Sequence, residues 1–232
     1  MKNAITALKR KANQYQELKK QRGVTLLEII IVLGIIGIIA AGVVVLANRA
    51  FTAQDISELA DNTNSVRVGT TEAYKDSAEY PATESAAALT KSDIGSATDT
   101  TGSIISTLVK MGKISVGEAF NGISNDPFEL GGVKYATADT KMKGFYLVIN
   151  GLDTEDCRNI ASQIGGQWDY VASDEVAAGG VLASAPTSLS GTATAPILKT
   201  LTEDKLTPET IVGTGFCDSS VGSDNALVLG SK

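Results

Sequence analysis

Glu28 is the only charge in the 24 residues from Val24 to Ala47, a stretch otherwise apolar enough to lie in a bilayer. An unpaired carboxylate there costs on the order of several kcal/mol, so it demands a cationic partner. The other groups with chemistry to offer are two thiols, Cys157 and Cys217, too far apart for a Cys-x-x-Cys redox or metal motif. Histidine is absent, which removes Ser-His-Asp triads, Cys-His pairs and His-ligated zinc. Asp93, Asp99, Asp139, Asp174 and Asp224 are scattered, and no run spaces carboxylates as a calcium loop does. Asp153, Glu155 and Asp156 suit the start of a helix. The pairs Gly131-Gly132 and Gly179-Gly180 read as turns, because no Lys-Ser/Thr and helix follow them. The chain is therefore expected to hold no cofactor or metal and not to be an enzyme. A signal-anchored periplasmic enzyme or binding protein, working through an Asp/Glu pair, is the alternative from another class.

Charge is unevenly distributed. Residues 1–23 carry seven Lys and Arg against Glu17, a net of +6, which leaves 13 basic and 25 acidic residues and a net of −12 over 24–232. A basic block before a membrane segment keeps that end in the cytoplasm and sends the acidic remainder outside. An acidic exterior domain is a poor nucleic-acid binder, and no nucleic-acid partner is expected.

Val24–Ala47 would make about 36 Å of helix against a bilayer core of roughly 30 Å. A secretory signal peptide has a shorter apolar region, and the run continues past the small residues Ala40-Ala41-Gly42. A plain anchor fits the length but leaves Glu28 without a reason. A leader cut just before the helix supplies one. Cleavage after Gly23 frees an α-amine on Val24, and Glu28 lies one turn further on. Between helices bundled with an axial offset, the amine of one chain can neutralise the carboxylate of the next, which favours one register of assembly. Gly34, Gly37 and Gly42 either reflect ordinary glycine usage in membrane helices or let a neighbouring helix approach closely.

The helical pattern runs on. Ile56, Leu59, Thr63, Val66, Thr70 and Ala73 recur at helical spacing, with charges at Asp55, Glu58, Asp61, Arg67, Glu72 and Lys75 on the other face. Tyr80-Pro81 is expected to end this helix, a rod of about 80 Å from Thr25 to about Ser77. The remainder reads as one α+β domain. Helices are expected over Ser103–Met111 and Asp153–Ile164, a capping box at Ser115–Glu118, and a brief helix at Thr207-Pro208-Glu209. Strands are expected at Phe145–Ile149, with a turn at Asn150-Gly151, and at Trp168–Ala172, Pro196–Leu201 and Asn225–Leu229. Residues 173–195, rich in Ala, Ser, Thr and Gly, read as a surface excursion away from the core.

Gly23-Val24-Thr25-Leu26-Leu27-Glu28, with a basic leader before it and an apolar helix after it, resembles the class III signal of type IV pilins. The 23-residue leader and a first mature residue of Val, where Phe is commoner, resemble the type IVb subclass, the enteric adherence pili. The likeness is strong over residues 19–60 and weaker around Asn121-Gly122-Ile123-Ser124, Asn150-Gly151-Leu152, Cys157-Arg158 and Cys217. The resemblance implies that a prepilin peptidase cuts between Gly23 and Val24, that Val24 is N-methylated, and that Glu28 docks the subunit into a filament. It implies an α+β fold: a long N-terminal helix packed on an antiparallel sheet, with short helices and one disulfide. The expected domains are a leader (1–23), an assembly helix (24–50), its amphipathic half (51–80) and a globular head (81–232).

With the head outside the cytoplasm, oxidation of Cys157 and Cys217 to a disulfide is expected, two separate buried thiols being the alternative. In the family such a bridge bounds a variable exposed region. The expected partners are copies of the same chain in a helical homopolymer, the inner membrane before assembly, the peptidase and assembly machinery, and a host cell surface. The expected location is the inner membrane with the head in the periplasm, then an extracellular pilus. The expected role is major pilin, with minor pilin or secretion pseudopilin as the alternative.

Overall fold

The computed structural model describes residues 25–232. Its elements in chain order are α1 (Leu26–Tyr74), α2 (Ile104–Lys110), β1 (Glu129–Val133), β2 (Gly144–Leu152), α3 (Thr154–Ile164), β3 (Tyr170–Glu175), β4 (Ile197–Lys199), α4 (Pro208–Ile211) and β5 (Asn225–Ser231), with three single 3-10 turns. The chain divides into two compact units between Phe51 and Thr52.

In the first unit α1 is apolar all round, and no side chain from Leu26 to Phe51 is buried. In the second unit the same helix is amphipathic. Ile56, Leu59, Asn62, Thr63, Val66, Gly69 and Thr70 are buried, at the three-and-four spacing that keeps one face inward. The helix stops at Tyr74, short of Tyr80-Pro81. The Ser77 N–H turns back to the Tyr74 carbonyl at 2.9 Å, and the chain then runs extended, with Tyr80 N–H on the Met142 carbonyl and Gly132 N–H on the Pro81 carbonyl. Tertiary hydrogen bonding has taken these residues from the helix before the proline could end it.

Five antiparallel strands form one sheet in the order β1-β2-β5-β3-β4. Side chains alternate between its faces, and both faces are covered. Phe145, Leu147, Ile149, Leu227 and Leu229 point into a core shared with Ile56, Leu59 and Val66 of α1, Leu108 of α2 and Ile160 of α3. Tyr146, Val148, Tyr170, Val228 and Val133 face a second, smaller cluster. A strand buried on both faces reads as a continuous apolar run, which is why Phe145–Ile149 shows no polar alternation.

The second cluster corrects the reading of residues 173–195. Ser173–Glu175 belong to β3, and Val176, Leu189 and Ala193 are buried. Leu189 is fully covered, with its N–H on the Lys134 carbonyl, and it packs where a Cβ at Gly144 would stand 2.7 Å from its Cδ1. One leucine over a glycine does what the segment's composition gives no hint of.

Two of the expected turns also differ from expectation. Gly131-Gly132 is not a turn but lies within β1, because a Cβ at Gly132 would sit 2.8 Å from the carbonyl oxygens of both Tyr80 and Pro81. Asn150-Gly151 likewise stays within β2, where the register slips between Ile149 and Leu152 and Gly151 takes a φ of 67°. Gly179-Gly180 does form a turn. The helices begin where their caps stand: Ser103 accepts from Ser106 N–H, Asp153 from Asp156 N–H and Thr207 from Thr210 N–H.

Candidate functional site

Gly23 and Val24, the expected cleavage and methylation positions, lie outside the described residues, as does the basic leader. The described chain opens at Thr25, whose hydroxyl oxygen accepts the Glu28 N–H at 3.2 Å while its carbonyl accepts the Ile29 N–H at 3.1 Å. Thr25 thus caps α1, and Glu28 stands in the first turn, where the helix dipole favours an anion. The Glu28 side chain is exposed, as are Leu26, Leu27, Ile29 and Ile30 around it. Nothing lies within 4 Å of a Cβ built at Gly34, Gly37 or Gly42. The three glycines open free surface on a helix long and apolar enough, by length and composition, to cross a membrane.

In the head, Cys157 and Cys217 form the expected disulfide, with Cα atoms 5.9 Å apart. It ties α3 to the segment leading into β5 and encloses β3 and β4 between its ends. Cys217 takes a φ of 45° and its N–H donates to the Ser173 hydroxyl at 3.1 Å. A second tie lies beside it, from the Thr154 hydroxyl to the Asp218 carbonyl at 3.3 Å.

The structure also joins residues the sequence leaves apart. The Asn121 side-chain amide donates to the Asn150 carbonyl at 2.8 Å, and Ser124 Oγ to Asn150 Oδ1 at 2.9 Å. Asn150 Nδ2 in turn donates to Asp126 Oδ2 at 2.8 Å, and the same oxygen accepts Gly179 N–H at 2.6 Å. The segments around Asn121 and Asn150 are thus halves of one polar knot, which holds the 176–182 loop against the end of β2. Glu129 clips that loop again by accepting Leu182 N–H at 2.8 Å; burial pushes its carboxyl above the usual range.

Asp99 is the other site that spacing conceals. It is buried and accepts Gly95 N–H at 2.9 Å, Thr101 Oγ1 at 2.8 Å and the Ser106 hydroxyl, with Lys110 Nζ at 3.6 Å. Burial alone would raise its pKa, but the bonds from Ser106, Gly95 and Thr101 outweigh it and hold the carboxyl well below the usual range. It anchors the 82–103 segment to α2. Asp93 accepts from Thr90 and Asp139 from Ala136 N–H, both local turns. Among the described residues no group of His, Cys, Asp and Glu could hold a metal ion.

Residues 18–44 match the prokaryotic N-terminal methylation motif. The chain is 38% identical over 168 residues to a toxin coregulated pilin of Vibrio cholerae, covering 71% of this chain and 66% of that one. It is 34% identical over 151 residues to a toxin coregulated pilin of Vibrio cholerae serotype O1, covering 65% of this chain and 61% of the relative. The chain thus spans just under two thirds of the length of these relatives. Its fold is similar to the crystal structure of TcpA, a type IV pilin from the El Tor biotype of Vibrio cholerae, with a TM-score of 0.54 and 20% identity, over 77% of this chain and 99% of that chain. Relatives of this kind are structural subunits, not enzymes. On its methylation motif and its pilin relatives, the chain belongs to the type IV pilins, in their type IVb branch.

Proposed function

We propose that this chain is the major subunit of a type IVb pilus, polymerising through α1 into surface filaments that serve adherence and aggregation. The observation that carries the reading is a helix apolar and exposed on every side from Leu26 to Leu46, broken by one carboxylate near its start. Such a surface needs lipid first and other helices afterwards. Residues 1–23 are the leader, 24–50 the assembly helix, 51–80 its amphipathic continuation and 81–232 the head. Hydrolysis of the Gly23–Val24 peptide bond leaves an ammonium on Val24, and a methyl group from an activated donor replaces one of its protons. That cation pairs with Glu28 of a neighbouring subunit in a low-dielectric bundle, where either charge alone is costly. The glycines at 34, 37 and 42 give neighbouring helices room to approach. Before assembly the subunit sits in the inner membrane with its head in the periplasm, as a substrate of the prepilin peptidase and the assembly machinery; afterwards it faces other cells and host surfaces.

Mass spectrometry of material sheared from the cell surface tests this reading. The expected dominant species begins at methylated Val24 and carries oxidised Cys157 and Cys217. A dominant species that begins at Met1, or scarcity of the chain in sheared material, would overturn the major-pilin assignment, and scarcity would favour a minor pilin or pseudopilin.

A further inference from the structure

The head carries 12 basic and 24 acidic residues over 52–232, so heads packed side by side repel one another. Its charges are also separated along α1. At one end, exposed Asp55 of α1 stands beside exposed Asp153 and Glu155 and half-buried Asp156 at the start of α3. None of these four is in an ion pair among the described residues, and Arg158 on the same helix lies beside Asp218. At the other end, two adjoining cavities of about 520 and 220 Å³ share Thr71, Lys75 and Lys232 and form one open groove along α1. Its cations are Arg67, Lys75, Lys143 and Lys232. Of its acids, Glu72 is taken by Lys113 at 3.0 Å, Asp169 accepts from Lys232 N–H at 3.1 Å, and Glu79 lies at the rim. Arg67 is fixed in place, over the Trp168 ring at 5.5 Å and bonded to the Gln167 carbonyl. Lys75 and Lys143 are exposed and in no ion pair among the described residues.

The two patches of one chain cannot meet. Asp55 stands on α1 and Lys75 directly follows its last residue, Tyr74, about 30 Å further along the helix axis, several times the Debye length of about 8 Å at physiological salt. We propose that the Arg67–Lys75–Lys143 groove receives the acidic start of α3, Asp153, Glu155 and Asp156, from a second copy of the chain. The contact is head-to-tail: different patches on the two copies, joined by an axial offset. Contacts of this kind propagate into open assemblies, whereas self-complementary patches close into dimers. The opposed charges neutralise part of the repulsion between heads and set the direction in which copies stack. This rests on the filament reading and adds the head surfaces that meet.

The test uses the full chain in cells that assemble the wild-type filament. Lys75→Glu with Lys143→Glu should lower sheared filament yield about tenfold while processed subunit stays at the wild-type level in the membrane, and adding Glu155→Lys should restore yield to within about twofold. Lys75→Cys with Glu155→Cys should give covalent multimers on non-reducing gels of sheared filaments, and neither single variant should. Undiminished yield from the double reversal, or normal filaments without multimers, overturns the inference and leaves the filament reading standing. The same filaments are passed over a heparin column: retention of the wild type that the double reversal abolishes at undiminished yield would also overturn the inference and assign the groove to a sulfated polysaccharide. Absence of any wild-type filament would instead strike the filament reading itself.

Discussion

The backbone N–H of Glu28 donates to the hydroxyl of Thr25, so the residue that caps α1 and the residue that carries its lone charge form one local unit. The two contributions separate by mutation. Thr25→Ala removes the cap, costs about 1 kcal/mol at the helix start, and leaves the carboxylate; filaments should persist. Glu28→Gln keeps the cap and the shape and removes the charge; processed subunit should accumulate in the membrane with no filament in the sheared fraction. Immunoblots of both fractions read the outcome, and filaments from Glu28→Gln would refute a docking role for the charge.

The Cys157–Cys217 bridge joins positions 60 residues apart and should contribute roughly 4 kcal/mol by limiting the unfolded chain. Replacing both cysteines with alanine should lower the urea midpoint of the head accordingly. Because Cys217 N–H and Thr154 Oγ1 make bonds of their own across the same junction, the folded head should retain its far-UV circular dichroism below that midpoint.

Gly132→Ala should destabilise the head by about 1–3 kcal/mol, because the new methyl meets two backbone carbonyl oxygens that cannot swing away. Gly122→Ala is the control: nothing lies within 4 Å of the added Cβ and the change should stay within about 0.5 kcal/mol. Thermal unfolding of the two variants separates them.

Asp99 makes the head acid-sensitive. Its folded pKa lies below its unfolded value, so its contribution is complete above about pH 4 to 5 and is lost as the pH falls further. Ser106→Ala removes one donor to the carboxylate and should cost about 2 kcal/mol at neutral pH. Asp99→Asn should flatten the fall in stability below pH 4, measured by urea titration across pH 3 to 7.

Local signals were legible where local physics decides. Ser103, Asp153 and Thr207 announce the helices they cap, and the spacing from Ile56 to Thr70 marks the buried face of α1. Glu28 stands out because a charge in an apolar run has few explanations. Elsewhere tertiary contacts overrode the local pattern. Tyr80 and Pro81 lie against β1, so its glycines lie in a strand and α1 ends early. Leu189, like Val176 and Leu182, stands in a stretch rich in Ala, Ser, Thr and Gly, and only the covered sheet face beneath it reveals its part in the core. Asp99 and the knot around Asn150 draw partners from separate segments, which no spacing rule connects.

β5 occupies the middle of the sheet although it is the last element in the chain. Before residues 225–231 are in place, β1 with β2 and β3 with β4 are two separate ribbons, and isolated two-stranded ribbons are marginal in water. β5 is therefore the keystone: the sheet cannot close across β2 and β3 until residues 225–231 are in place. A chain truncated before Asn225 would present two bare strand edges, along β2 and β3, the form that proteases and chaperones recognise.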